Sequence, residues 1–184
     1  MNIQVSSKEE LIIECKEIVK TQGISGVSIR SLAKKAGIST GAVYNYFPSK
    51  SQLLAETISS IWAEIFHFSN HNLIFTSFTE SLEALLESIE EGKKMYPHFF
   101  TEHALAMSME NEQMGKKMMV NYWDHLKSSL LVTLREDQSI RQDVFGPELT
   151  PEEFVEYCFE LFLSVIVSEK RPESFLKFVK NALY

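Results

Sequence analysis

Between Ser28 and Lys50 the chain reads SIRSLAKKAGISTGAVYNYFPSK, and only Gly37, Ile38 and Ser39 separate two helix-forming runs within it. So short a link leaves the second helix no room to wander: it turns back across the first, and the two share a face. Gly37 suits the stop, because a left-handed backbone costs least at glycine. Ser28 and Ser39 stand where side-chain oxygens cap the helices IRSLAKKA and TGAVYNYF, and the second run ends at Pro48. Leu32, Ala33, Ile38, Val43 and Phe47 fall on the shared face, with Ala33 small enough for close approach. Thr40, Gly41, Tyr44, Asn45 and Tyr46 are left on the other.

Helix signals continue along the whole chain, while alternating strand patterns are almost absent. Ser7 and Glu10 form a capping box before Leu11, Ile12, Cys15, Ile18 and Val19, and Gly23 stops that first helix. Ser49 with Gln52 is a second box, opening a long amphipathic segment with Leu53, Leu54, Ile58, Ile61, Trp62, Ile65 and Phe66. Further helices are expected over about 79 to 95, 97 to 109, 111 to 136, 151 to 170 and 172 to 183. The stretch Glu136–Thr150, which contains a Gly-Pro pair, reads as a surface loop. The fold class expected is all-α with about nine helices.

Net charge is −7, yet its distribution is uneven. Residues 1–50 carry seven Lys or Arg against four Glu, net +3, and the remaining 134 residues are net −10. A basic N-terminal module that meets nucleic acid or a membrane, joined to an acidic body that does not, accounts for this asymmetry; so does chance in a short segment. The longest uncharged run, Ile65–Thr79, contains Asn, His, Ser and Thr, far from the roughly 18 apolar residues of a membrane span. The start MNIQVSSKEE lacks the basic and apolar regions of a secretory signal, and two cysteines, Cys15 and Cys158, are too few for a disulfide framework. A cytoplasmic protein is expected, with no membrane partner.

A major groove about 12 Å wide accepts a helix whose N-terminal residues point at base edges, and the polar face of TGAVYNYF has that form. The small-residue turn Ala36-Gly37-Ile38-Ser39, Gly41 and Tyr44 beyond it, and the ending Tyr46-Phe47-Pro48-Ser49-Lys50 together resemble the DNA-binding domain of the TetR family of transcriptional regulators. The resemblance covers about the first 50 residues; the rest agrees in length and helical character. It implies a helix-turn-helix DNA-binding domain over 1–48 and an effector-binding and dimerisation domain over 49–184. It also implies phosphate contacts from Ser28, Ser39, Tyr44, Tyr46 and Lys50. Arg30, Thr40, Gly41 and Asn45 then become candidates for base edges; Arg30 can pair bidentately with guanine and Asn45 with adenine. Ala42 offers at most a methyl contact. Tyr44 and Tyr46 could instead pack on the first helix, and Lys34 and Lys35 read as solvated charges.

Six of the seven methionines lie between Met95 and Met119, among Tyr96, Phe99 and Phe100 and just before Tyr122 and Trp123. Methionine adapts to varied apolar shapes, though a stripe of this kind serves equally as plain core. The resemblance implies a pocket for a small hydrophobic effector, with Trp62, Phe66, Phe100, His103, Met107, Met118, Tyr122 and Phe159 as lining candidates. It further implies a homodimer built on the last two helices, through Phe154, Tyr157, Leu161, Ser164, Val165, Ser168, Phe175, Phe178 and Val179. Packing within one subunit is the alternative, since FVEYCFELFLSVIV is apolar around most of its circumference. His67 and His71 stand one turn apart, but with no HExxH motif or nearby cysteine they do not make a metal site. No phosphate loop, nucleophile elbow or His-Cys dyad is visible. The chain is therefore expected to be no enzyme and to need no cofactor or metal, and the resemblance implies that it represses transcription from a palindromic operator until an effector releases it.

Overall fold

The computed structural model describes residues 7–67, 75–97, 99–100, 113–167 and 171–184, and for 67, 113–122 and 167 the backbone alone. Eight α-helices lie among the described residues: α1 Lys8–Gln22, α2 Ile29–Ala36, α3 Thr40–Tyr46, α4 Lys50–His67, α5 Phe78–Met95, α6 Gln113–Glu136, α7 Pro151–Val167 and α8 Pro172–Leu183. The helix expected over 97 to 109 lies almost wholly outside them, as does the end of the one expected to reach 170. A short 3-10 turn, Ile24–Gly26, joins α1 to α2.

The caps explain most boundaries. Ser7 and Glu10 form a reciprocal box, with Glu10 N–H donating to Ser7 Oγ at 3.1 Å and Ser7 N–H to the Glu10 carboxylate at 3.2 Å. At α4, Gln52 N–H donates to Ser49 Oγ, while the Gln52 amide reaches forward to Glu56. α3 is one residue shorter than its sequence run: Phe47 leaves helical geometry and serves as the C-cap, because Pro48 follows and disfavours helix at the residue before it.

The chain divides into two compact units, one of residues 1–65 with 91–120 and the other of 66–90 with 121–184. In the first, Leu11, Cys15 and Val19 of α1, Leu32 of α2, Val43 of α3, Phe47, and Leu53 and Ile61 of α4 are fully buried. Lys8 bonds Glu56 at 2.6 Å and Lys16 bonds Glu64 at 2.5 Å. Both pairs join residues the same distance apart in sequence, so α1 and α4 run side by side in one direction for about 12 Å. Gly92 of α5 lies so near that a Cβ there would stand 2.8 Å from Ile65 Cγ1, which makes glycine the residue that lets these helices touch.

In the second unit an aromatic core forms around Trp123 of α6, whose ring lies 6.3 Å from Phe66 and 5.3 Å from Phe159 of α7. Phe154 of α7 meets both Phe78 of α5 and Phe145 of the loop. Lys127–Glu156 and Arg135–Glu152 pair α6 with α7 in antiparallel sense. The loop after α6 is fixed by polar contacts. Asp137 accepts the Phe78 N–H at 2.9 Å, the Tyr184 hydroxyl at 2.6 Å and the Ser139 N–H at 2.9 Å, and Arg141 N–H donates to Leu183 O at 3.0 Å. No helix among the described residues is long and apolar enough to cross a membrane.

Candidate nucleic-acid interface

The turn between α2 and α3 is built as the sequence dictates. Gly37 adopts φ 70° and ψ 26°, and its N–H and that of Ile38 both return to Ala33 O, closing α2 with a left-handed cap. Ser39 Oγ then accepts the Ala42 N–H at 3.1 Å and starts α3. Val43 and Phe47 point inward and are fully buried with Leu32 and Ala33, while Ile38 is only half-buried. Their opposite face is open: Thr40, Gly41, Tyr44 and Asn45 are exposed, and Tyr44 leaves 52% of its surface to solvent. Ala42 and Tyr46 are half-buried at the edges.

Arg30 on α2 and Lys50 at the start of α4 are exposed, as are Ser39 and Lys34. Lys35 is engaged by Glu14 at 3.4 Å. Ser28 is half-buried and sits in a box that the sequence reading missed. Ser31 N–H donates to Ser28 Oγ, Ser28 N–H donates to Ser31 Oγ, and the two hydroxyls lie 2.9 Å apart. Ser31 Oγ also donates to Gly26 O at 2.8 Å, tying the helix to the turn before it. The signal was present as a serine three residues after Ser28, the N3 position of a capping box.

Residues 16–57 match the family model described as bacterial regulatory proteins, tetR family. Over those residues the chain is similar to the TetR family. Members of this family are DNA-binding transcription regulators rather than enzymes. The chain is 31% identical over 120 residues to the HTH-type transcriptional regulator YuxN of Bacillus subtilis, which covers 62% of this chain and 41% of that protein. It is 27% identical over 142 residues to the nucleoid occlusion factor SlmA of Vibrio cholerae, covering 73% of this chain and 70% of SlmA. Among solved structures, the TetR regulator SCO7222 of Streptomyces coelicolor superposes with a TM-score of 0.66 at 16% identity, over 89% of this chain and 72% of that one. That likeness carries the fold.

The effector candidates fall into two groups. Trp62, buried, meets Phe100 edge-on at 5.6 Å and Phe99 at 5.2 Å in the first unit. Phe66 and Phe159, both buried, flank Trp123 in the second. His103 and Met107 lie outside the described residues, as do the side chains of Met118 and Tyr122 and of the His67–His71 pair. Of the dimer candidates, Tyr157, Leu161 and Phe178 are exposed and Ser164 is half-buried. Phe154, Val165, Phe175 and Val179 are buried within the chain itself, and Ser168 is not among the described residues.

One junction joins the helix-turn-helix to the segment after α5. Glu64 of α4 accepts both Lys16 Nζ of α1 and the Tyr96 hydroxyl, the latter at 3.0 Å, and Lys20 Nζ lies 5.4 Å above the Tyr96 ring. Burial and the neighbouring Glu64 carboxylate push the Tyr96 phenol above its ordinary range, so it stays a donor at all working pH. The thiols are inert by comparison: burial pushes Cys15 up to about 11 and Cys158 up to about 12.

Proposed function

We propose that this chain is a TetR-family regulator, a cytoplasmic homodimeric repressor that binds a palindromic double-stranded DNA operator and is released by a small hydrophobic effector. The observation that carries the reading is the two-sided character of α3. Val43 and Phe47 anchor it in the core, and the opposite face offers Thr40, Gly41, Tyr44 and Asn45 to solvent with nothing among the described residues to cover them. In this reading the first of the two domains, 1–48, reads DNA, and the second, 49–184, takes the effector and dimerises. Ser39, Tyr44, Tyr46 and Lys50 hold phosphates, with Ser28 beside them, while Arg30, Thr40, Gly41 and Asn45 meet base edges.

The effector acts by binding one conformer more tightly than the other, which shifts the population that matches the half-site spacing. α4 is the natural lever, since its start holds Lys50 beside α3 and its later turns hold Glu64 on Lys16 and Tyr96. Lining by Trp62, Phe66, Phe100, His103, Met107, Met118, Tyr122 and Phe159 would suit an apolar molecule.

A gel shift against the promoter of its own gene, at physiological salt with excess competitor DNA, tests the assignment. Retention on that promoter supports it; binding no better than to competitor leaves only the charge-driven attraction any basic surface has. Within that assay, Tyr44→Phe removes one phosphate hydrogen bond and should weaken all sequences alike. Arg30→Ala should cost about 1–3 kcal/mol and relax preference at one base position. An equal loss on matched and mismatched operators would take Arg30 out of the base-reading set.

A further inference from the structure

Lys8 is the first residue of α1, ahead of Glu9 and Glu10. A cation at that end of a helix opposes the macrodipole, so α1 itself gives no reason for a lysine there. The reason lies on other elements. The ammonium stands 2.6 Å from Glu56 Oε1 of α4 and 5.3 Å from the centroid of the Phe47 ring at the end of α3. The Gln52 side-chain amide donates to the same Glu56 oxygen at 3.0 Å, and the Gln52 N–H is held in turn by Ser49 Oγ. The pair is partly sheltered, with 37% of the Lys8 side chain and 18% of the Glu56 side chain exposed. One charge thus ties the start of α1 to the end of α3 and to the first turns of the helix that opens with Lys50.

α3 has few restraints of its own. It is seven residues long, and Val43 and Phe47 are its buried anchors. A helix so short takes its place from packing and not from its own stability. A ring faced by a cation that is pinned to α4 rocks less, and so does the helix that ends at that ring. When the binding-competent orientation is populated only part of the time, the apparent affinity falls by that fraction.

We infer that Lys8 is a positioning residue for DNA binding: paired with Glu56, its ammonium fixes the Phe47 end of α3 against α4 and narrows the angles at which Thr40 to Asn45 meet the groove, without touching DNA itself. The inference rests on the DNA-binding reading above and adds to it a residue outside the helix-turn-helix. The Lys8 charge is spent on Glu56 and the Phe47 ring, which separates its role from that of Lys50, exposed at the start of α4 and assigned to a phosphate.

Fluorescence anisotropy on the promoter fragment of its own gene, read at several potassium chloride concentrations with the full chain and its variants, tests it. Lys8→Met keeps an apolar stem and removes the charge; the Kd should rise about three- to tenfold while the slope of log Kd against log salt stays that of the parent. Lys8→Arg keeps a cation able to pair with Glu56 and lie on the ring, and should return to within about twofold of the parent. Glu56→Gln is decisive, because general attraction to phosphates and positioning predict opposite signs. Losing a negative charge tightens a purely electrostatic contact, whereas losing the anchor of Lys8 weakens binding by about the factor seen for Lys8→Met. The double variant should bind little worse than Lys8→Met alone, since both changes break one contact. Tighter binding by Glu56→Gln would overturn the inference, as would a slope lowered by about one in Lys8→Met, the mark of a lost phosphate contact. A lower unfolding temperature with an unchanged Kd would reduce Lys8 to a stabilising residue and overturn it too. A parent chain that binds the promoter no better than competitor DNA would instead overturn the DNA-binding reading, and the inference with it.

Discussion

Phe47→Ala is expected to destabilise the N-terminal unit by about 3–5 kcal/mol and to abolish operator binding with it. Phe47 is fully buried, caps the C-terminal end of α3 and lies beneath Lys8, whose Nζ is 5.3 Å from its ring. Removing the ring leaves a cavity beneath the very helix that presents Thr40 to Asn45, and a helix this short, held in the core otherwise by Val43, depends on that ring for its angle. Stabilities of small domains are about 5–15 kcal/mol, so a loss of this size takes a large share of the total. Thermal unfolding followed by circular dichroism, with operator binding by fluorescence anisotropy, separates the fold from the contact surface. The paired control is Tyr44→Ala, which is exposed: it should lose affinity while unfolding at nearly the parent temperature. If Phe47→Ala unfolds as the parent does and still binds, the anchoring role assigned to it is wrong.

Asp137→Ala should cost about 3 kcal/mol or more, because it strands a buried backbone N–H and takes the partner of a hydroxyl at once. Asp137 ties the N-terminus of α5 at Phe78, the loop at Ser139 and the last residue, Tyr184, to one carboxylate. Burial alone would raise its pKa, but the hydrogen bonds from Ser139, Tyr184 and Phe78 outweigh it and hold the carboxyl below its ordinary value of 3.8. The sign follows from linkage: the unfolded chain binds this proton more readily than the folded one, so the stabilisation is complete above that ordinary value. It drains as pH falls through the lower folded value. Urea midpoints from pH 7 down to pH 2 should show the parent losing stability on the acid side faster than Asp137→Asn, which has no charge to lose. Parallel curves for the two would remove Asp137 from the acid sensitivity of the fold.

The N-terminal half of the architecture was legible in the sequence because its signals are local. Ser7 with Glu10, Gly23, Ser28, Gly37, Ser39 and Pro48 each act within four residues, and each sets a helix boundary within a residue of where the sequence places it. Ser31 shows the limit of that reading, for its hydroxyl serves both the cap and the Gly26 carbonyl, and the second bond depends on how the turn folds back. Contacts between distant segments left no local mark. Nothing around Asp137 announces that Phe78 and Tyr184 converge on it, and nothing around Glu64 announces Lys16 and Tyr96. The apolar run of α7 called for burial on nearly all sides, some of it against another subunit, and within the chain Tyr157 and Leu161 stay exposed, since periodicity gives the fraction of a helix that is apolar and not which neighbour covers each side.

The central claim is that α3 enters a major groove, and dimethyl sulfate interference on the bound promoter fragment tests it most directly, because guanine N7 faces that groove and adenine N3 the other. The account expects methylated guanines to block binding in two clusters about one helical turn, roughly 34 Å, apart. Interference at adenine N3 alone, or at no base while binding persists, would contradict it.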